Sequence, residues 1–345
     1  MKTDIKSLTF SQLNNEVAAL SLPKFRAKQI FEWLHKYGVS SFDEMTNISK
    51  ELRSKLDESY FISSVEIEDK YVSAIDGTVK YLFRLYDGEY IESVIMKYKY
   101  GYSICVSSQV GCKMGCKFCA STLAGFKRNL LAGELESQLH KAQSDLGIRI
   151  SNIVLMGIGE PLDNYDNVLC FIRNVNDENG LNISMRNITL STCGIVPKIY
   201  ELMNEELPIT LTISLHAPND EIRSRTMPVN DKWGIDEVVN ACRDYIEKTG
   251  RRVSFEYTLI NGVNDTAQCA EELSEKLKGL LCHVNLIPVN DVEERGNVRS
   301  SDGAMFAFQQ ILKNNGINAT IRRTLGSDIN ASCGQLRRKK NEVGK

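Results

Sequence analysis

Gly111-Cys112-Lys113-Met114-Gly115-Cys116-Lys117-Phe118-Cys119 is the stretch on which the reading of this chain turns. It sets three cysteines at C-x3-C-x2-C spacing just after an apolar β-type run, Ile104–Val106. Glycines at 111 and 115 allow the backbone to curl, so three thiolates can converge on one centre from a single loop. Four-iron clusters are normally held by four cysteine thiolates. Three leave one iron open, and an open metal position marks catalysis more than structural closure. The competing readings are a zinc site completed by a distant Cys or His, and three unligated thiols. A zinc ribbon would usually carry a second Cys-x2-Cys pair, and the sequence has none.

Downstream of this loop the pattern alternates. Short apolar runs occur at Ile104–Val106, Ile153–Met156, Ile188–Leu190, Leu211–Leu215, Val253–Tyr257, Val284–Ile287 and Ala319–Ile321, with helix-like stretches such as Ile235–Lys248 and Ala267–Lys278 between them. Strands alternating with helices predict a parallel α/β fold, either a barrel or an open sheet. In both, chemistry collects at the C-terminal ends of the strands.

Upstream, residues 59–100 read as strands. Tyr81–Leu85 and Ile91–Ile95 flank Asp87-Gly88, a hairpin signal. Residues 1–58 read as helical: Ala27, Ile30, Phe31 and Leu34 fall on one face, with Pro23 at the start and Gly38 past the end. Lys24, Lys28 and Lys36 make the polar side partly basic, which reads first as a solvated face and second as an RNA contact. Residues 326–345 form a polar tail containing Arg337-Arg338-Lys339-Lys340.

Composition narrows the class. With 42% hydrophobic and 25% charged residues, the chain has the make-up of a globular protein with a sizeable core. It has no membrane-length apolar run and no apolar leader at its start, so a cytoplasmic location is expected. Ten cysteines in a reducing compartment point to metal binding or thiol chemistry instead of a disulfide framework. The net charge of −2 argues against a uniformly basic nucleic-acid binder but leaves room for local patches.

The three cysteines match the CxxxCxxC signature of the radical S-adenosylmethionine (SAM) superfamily. The words around them resemble one family within it, the RNA adenine C2-methyltransferases of the RlmN type. These words are Cys105–Cys112, Phe126-Lys127-Arg128-Asn129-Leu130, Met156-Gly157-Ile158-Gly159-Glu160-Pro161, Leu190-Ser191-Thr192, Ser214-Leu215-His216-Ala217-Pro218-Asn219, Asn285-Leu286-Ile287-Pro288 and Cys333-Gly334-Gln335-Leu336. They run in the family's order through nearly the whole chain. The fold so implied is an α/β, partial (β/α)6 radical SAM barrel (residues 101–325) with an N-terminal helical, RNA-binding domain (1–58), a small β extension (59–100) and a C-terminal tail (326–345).

The resemblance also assigns roles. Cys112, Cys116 and Cys119 would hold one [4Fe-4S] cluster. Gly159, Glu160, Ser191, Ser214, Leu215, His216 and Asn290 match SAM-contacting positions, although Asp291 stands where relatives commonly carry proline. Read alone, Glu160 is as well explained as the cap of a tight turn, and His216 as a packed core histidine. Cys333 matches the tail cysteine that is methylated first, Cys105 the thiol that resolves the later adduct through a transient disulfide, and Glu92 the proton acceptor.

Two thiols make chemical sense, because C2 of adenine is electron-poor and resists transfer of a methyl cation. In the family, two SAM molecules are used per turnover: one methylates the cysteine and the other yields the radical that activates its methyl group. The substrates implied are an adenine of 23S rRNA and, in many members, an adenine in the tRNA anticodon loop. The partners implied include a low-potential electron donor such as flavodoxin, and a monomer is expected.

Lys113, Lys117, Lys127, Arg128, Arg251-Arg252 and Arg322-Arg323 could neutralise phosphates if they share one rim. The related Cfr branch, which methylates C8, typically has alanine where Pro161 stands, so Pro161 favours C2. A non-catalytic iron–sulfur or zinc RNA-binding module is the alternative from another class, but it gives no reason for Cys105, Cys333 or the Gly-Ile-Gly-Glu-Pro turn.

Overall fold

A computed structural model describes residues 2–290 and 292–337. The basic run from Arg338 onward and the Asp291 departure lie outside the described residues.

The N-terminal unit begins with β1 (Thr3–Asp4), which pairs in parallel with β2 (Tyr60–Phe61) and so closes the segment on itself. Between them lie α1 (Phe10–Ala19), α2 (Phe25–Phe31) and α3 (Lys50–Ser59). Thr9 and Gln12 cap the start of α1 reciprocally, and Ser49 caps α3. The predicted helix is present, but after Phe31 it widens into one π-helical turn, Glu32–Lys36, before Gly38 turns left-handed at φ +68°. Ala27, Ile30, Phe31 and Leu34 are all fully buried, as their spacing predicts. They form a core separate from that of the main sheet.

The rest of the chain builds one ten-stranded sheet in sequence order among the described residues. Its first strands are β3 (Glu66–Val72), β4 (Val79–Arg84), β5 (Tyr90–Tyr98) and β6 (Gly101–Cys105), each antiparallel to the next. The β extension is therefore continuous with the parallel sheet. A short ladder of β7 (Gln109–Val110) with β8 (Arg128–Asn129) frames the cysteine loop.

From β6 the sheet continues in parallel through β9 (Ile150–Leu155), β10 (Ile188–Thr192), β11 (Thr210–Ser214), β12 (Val253–Leu259), β13 (Cys282–Pro288) and β14 (Ala319–Ile321). Each connection is helical: α4 (Ala132–Leu146), α5 (Tyr165–Asn176), α6 (Val196–Asn204), the pair α7 (Asp220–Thr226) and α8 (Ile235–Thr249), α9 (Ala267–Leu277), and α10 (Asp302–Asn314). All seven predicted apolar runs are strands of this parallel region. Six strand–helix units followed by a last strand, without closure, make a partial (β/α)6 barrel.

The two units meet at α4 through buried polar groups. His35 Nδ1 lies 2.7 Å from Glu136 Oε2, and His140 Nε2 lies 3.1 Å from Glu136 Oε1. Lys6, also fully buried, donates to Ser137 Oγ at 2.9 Å. Past β14 the tail crosses the sheet. Asp328 accepts from Ser73 Oγ at 2.7 Å on one side, and Gly334 O accepts from Ala120 N at 2.7 Å beside the cysteine loop on the other.

Candidate active site

The cysteine loop is shaped by its glycines. Gly111 has φ +76°, and a Cβ placed on it would stand 1.7 Å from Gly125 O. Only glycine allows that crossing of the loop's neck. Gly115 is left-handed too, at φ +74°. The loop is then tied down by Lys117 N donating to Thr226 O at 2.8 Å, and by Arg295 Nη2 donating to Cys119 O at 3.2 Å.

Cys112, Cys116 and Cys119 all line one cleft at the C-terminal ends of the strands. Burial pushes all three thiols above their ordinary value, Cys112 to about 12. Among the described residues, no three His, Cys, Asp or Glu side chains close around a single ion. A cluster asks for something wider, because each cysteine binds a different iron. A fourth cysteine, Cys193 at the end of β10, shares the cleft, but its thiol is engaged by Glu160.

Another part of the lining comes from the glycine turn after β9. A Cβ at Gly157 would stand 2.7 Å from Ser107 N, and one at Gly159 (φ +107°) 2.6 Å from the Gln109 side chain. Here the backbone packs directly on the strand-to-loop segment that precedes the cysteines. Glu160 is 4% exposed, and its carboxylate is the cap of the turn. One carboxylate oxygen caps the following turn by accepting from Leu162 N at 3.0 Å, and the other accepts from Cys193 N at 2.7 Å. It also lines the cleft, where burial raises its pKa.

Ser191 and Ser214 face the cleft with their hydroxyls 3.3 Å apart. His216, held at φ +58°, accepts from Thr258 N through Nδ1 at 2.9 Å. Burial, then the Arg223 charge, lowers its pKa to about 3, so the ring is neutral and carries its proton on Nε2. Its ring meets Phe118 of the cysteine loop edge-on, centroids 4.8 Å apart.

Asn290 also lines the cleft, with its side-chain amide donating to Cys333 O at 2.9 Å. Leu215 is the exception among the predicted contacts. Its side chain belongs to the core, and the residue is not part of the cleft lining.

A second, smaller chamber adjoins this cleft. Cys105 and Cys333 both line it, and Cys333 lines the cleft as well. Met156, Asn290 and Arg322 are also shared by the two cavities. Both thiols are free. Burial, then the neighbouring Cys333, pushes Cys105 up to about 12.

Glu92 lies on the same face of β5 as Val94, which pairs with Cys105. It is sealed off from the chamber's lining: Lys80 Nζ is 3.2 Å away, and the carboxylate accepts from Arg337 N at 2.6 Å. Burial raises its pKa, against the pull of Lys80.

Sequence reasoning missed a buried carboxylate of the cleft lining and a buried arginine that is not part of that lining. Glu256 (5% exposed) lies 3.8 Å from Arg322 and is bonded by Asn285. A glutamate on the strand Val253-Ser254-Phe255-Glu256-Tyr257, whose other members are apolar, aromatic or a small serine, was the available signal. Arg223 was missed too. It is fully buried, and its guanidinium donates to Leu215 O (3.2 Å), Asn230 Oδ1 (2.9 Å), Trp233 O (3.2 Å) and Cys193 O (2.6 Å).

The expected basic rim is only partly present. Arg251-Arg252 precede β12, at the opposite end of the strands from the cleft. Arg128 is consumed by Asp87 at 2.6 Å and Glu134 at 2.7 Å, and Lys113 is 2.8 Å from Asp163.

Residues 3–62 match the ribosomal RNA large subunit methyltransferase N-terminal domain, and residues 106–273 match the radical SAM superfamily. The "Probable dual-specificity RNA methyltransferase RlmN" of Alkaliphilus oremlandii is 57% identical over 98% of this chain and 98% of its own length. The chain belongs to the RlmN family. A relative of the same name from Lachnoclostridium phytofermentans is also 57% identical, over 98% of this chain and 95% of its own. A radical SAM methyltransferase from Sphaerobacter thermophilus, 43% identical, superposes with a TM-score of 0.91 over 98% of this chain and all of that one. Membership in the superfamily brings with it one [4Fe-4S] cluster and SAM. The residues present fit that pair: three loop sulfurs line the cleft together with a close-packed glycine turn and its buried carboxylate. No described helix is long and apolar enough to cross a membrane.

Proposed function

We propose that this chain methylates C2 of an adenine in 23S rRNA and of an adenine in the tRNA anticodon loop, through an S-methylcysteine at Cys333. The observation that carries the reading is the position of Cys333, whose residue lines both the cleft of Cys112, Cys116 and Cys119 and the chamber of Cys105.

In this reading Cys112, Cys116 and Cys119 hold the cluster, while Gly159, Glu160, Ser191, Ser214 and His216 line the SAM side of the cleft. Leu215 stays in the core, outside this lining. Asn290 fixes the tail by its bond to the Cys333 carbonyl. The Cys333 sulfur, once its proton has passed to solvent, would take a methyl group from SAM by displacement, with S-adenosylhomocysteine as the leaving group.

When bound, the cluster and a second SAM supply the one-electron chemistry that activates the S-methyl hydrogen. Glu92 receives the proton that leaves C2 once the tail's Arg337 amide gives up its carboxylate. By then the S-methylene carbon is joined to C2, and the odd electron of the adduct has been given up to the one-electron couple that the cluster would supply. Cys105 attacks the Cys333 sulfur as its thiolate, the C–S bond breaks, and the departing base takes a proton onto its methylene carbon to complete the methyl group. The new S–S bond needs a two-electron thiol reductant for reset.

Residues 1–58 serve as an RNA-binding module, and residues 326–345 as the segment that carries the methyl-accepting sulfur. A low-potential donor such as flavodoxin, a monomeric state and a cytoplasmic location complete the proposal.

The test is anaerobic reconstitution with iron and sulfide, followed by incubation with SAM, dithionite and unmodified 23S rRNA. Mass spectrometry of the digested RNA is expected to find 2-methyladenosine. 8-Methyladenosine would move the chain to the Cfr branch, and unchanged RNA would overturn the proposal.

A further inference from the structure

The turn between β5 and β6 reads Lys97-Tyr98-Lys99-Tyr100-Gly101-Tyr102, alternating basic and aromatic residues. In the fold this becomes a platform. The rings of Tyr98 and Tyr100 stack with centroids 5.0 Å apart and planes only 4° from parallel. Tyr100 is 69% exposed, so the outer face of the pair is open, while Lys97 sits over the Tyr102 ring at 5.9 Å. A large aromatic surface beside ammonium groups is poorly explained by packing. It suits a flat, electron-rich group attached to an anionic backbone.

Position ties the platform to the site. Val94, Met96 and Tyr98 share one face of β5, and all three line the chamber of Cys105 and Cys333. Val94 pairs with Cys105 and Tyr98 with Gly101, so strand rise places the two ends about 13 Å apart. That is a span of a few nucleotides. Arg323 lines the same chamber and is exposed.

We propose that Tyr98 and Tyr100 receive an unpaired RNA base next to the target adenine, with Lys97, Lys99 and Arg323 meeting its phosphates. Stacking there would hold the strand in its splayed form while the target base occupies the chamber, since every base has a face that can stack. This rests on the RNA-methyltransferase reading above and adds the surface that grips the strand beside its target.

The experiment uses the full-length chain and unmodified 23S rRNA, measuring binding by filter retention and methylation by KM and kcat. Tyr100→Ala is chosen because Tyr100 is outside the core and its loss leaves the chamber lining intact. Loss of one stacked base predicts roughly tenfold weaker binding and a matching rise in KM. S-methylation of Cys333, which needs no RNA, should be unchanged. Tyr100→Phe keeps the ring and should bind as the wild type does.

Equal binding by Tyr100→Ala and wild type overturns the platform. Equal loss in Tyr100→Ala and Tyr100→Phe overturns it as well, because the hydroxyl and not the ring would then be the contact. Failure of the underlying reading shows separately, as a wild-type chain that transfers no methyl group to RNA.

Discussion

Arg223→Met should be among the most damaging single changes outside the cysteines, and the structure says by how much. The side chain is fully buried, and its fork is filled by neutral oxygens from four places: the ends of β10 and β11, Asn230, and Trp233 ahead of α8. Methionine fills similar space but donates nothing, so four acceptors lose a charged donor. Hydrogen bonds to a charged group contribute about 1.5–3 kcal/mol each. Removing the buried cation returns much of that through relief of its desolvation. A net loss of about 4 kcal/mol follows, which for a chain of 345 residues is about 5 °C in melting temperature. Arg223→Lys should recover only part, because an ammonium cannot reproduce the planar fork. Since α7 also receives the Lys117 amide through Thr226 O, cluster loading should fall in step with stability. Calorimetry and iron content measure both. A methionine variant that melts with the wild type and loads iron fully would refute the assignment of Arg223 as the tie between strand ends and cysteine loop.

Four further outcomes are expected. Gly111→Ala should block iron–sulfur loading, because its Cβ would stand 1.7 Å from Gly125 O, whereas Gly125→Ala, also left-handed but in open space, should cost only about 1–2 kcal/mol and still load; equal iron content in the two would contradict this. Cys333→Ala should keep the cluster and abolish methyl transfer to RNA, and retained turnover would remove Cys333 from its role. Cys105→Ala should accumulate a protein–RNA crosslink through Cys333, visible as a shifted band on a denaturing gel; free RNA released at the normal rate would count against it. The junction at α4 should weaken in acid. Burial, then the Lys6 charge, holds His140 below its ordinary value, so its contribution is full above the free-histidine range near 6.5 and is lost as pH falls below it. Melting temperature should therefore drop between pH 7.5 and 5.0, and less so in His140→Gln, with parallel drops in the two proteins defeating the explanation.

The fold was legible where the chain obeys a single period. Seven β-type runs, the Asp87-Gly88 hairpin and the face of Ala27, Ile30, Phe31 and Leu34 all follow from alternation or helical spacing, because one buried face suffices to write them. The π turn at Glu32–Lys36 was not legible, since no local residue preference marks it. Site chemistry was legible where residues are close in sequence. The cysteine loop and the glycine turn each carry their own backbone requirement, and Gly111, Gly157 and Gly159 meet it in the fold. What sequence could not supply was long-range pairing. Nothing adjacent to Arg223 says that its partners are strand ends, and nothing near Arg251 says that it lies at the far end of the barrel. Charge patches failed for the same reason: Arg128 looked like a phosphate ligand until Asp87 and Glu134 were brought to it.

Burial sets the order of the thiol chemistry proposed above. Cys105 must act as a thiolate, yet its site holds it at about 12, first through burial and then through the charge of the neighbouring Cys333. Displacement of Leu336 and Ala331, which roof the same cluster of apolar residues, would relieve part of the first of these causes. Cys105 is thus restrained while the tail is docked, the state in which a premature disulfide would waste both sulfurs. The alkylation rate of Cys105 checks this: iodoacetamide should label it slowly in the resting enzyme and faster in Leu336→Ala, which loosens the tail. Equal rates in the two proteins would mean that the docked tail does not restrain it.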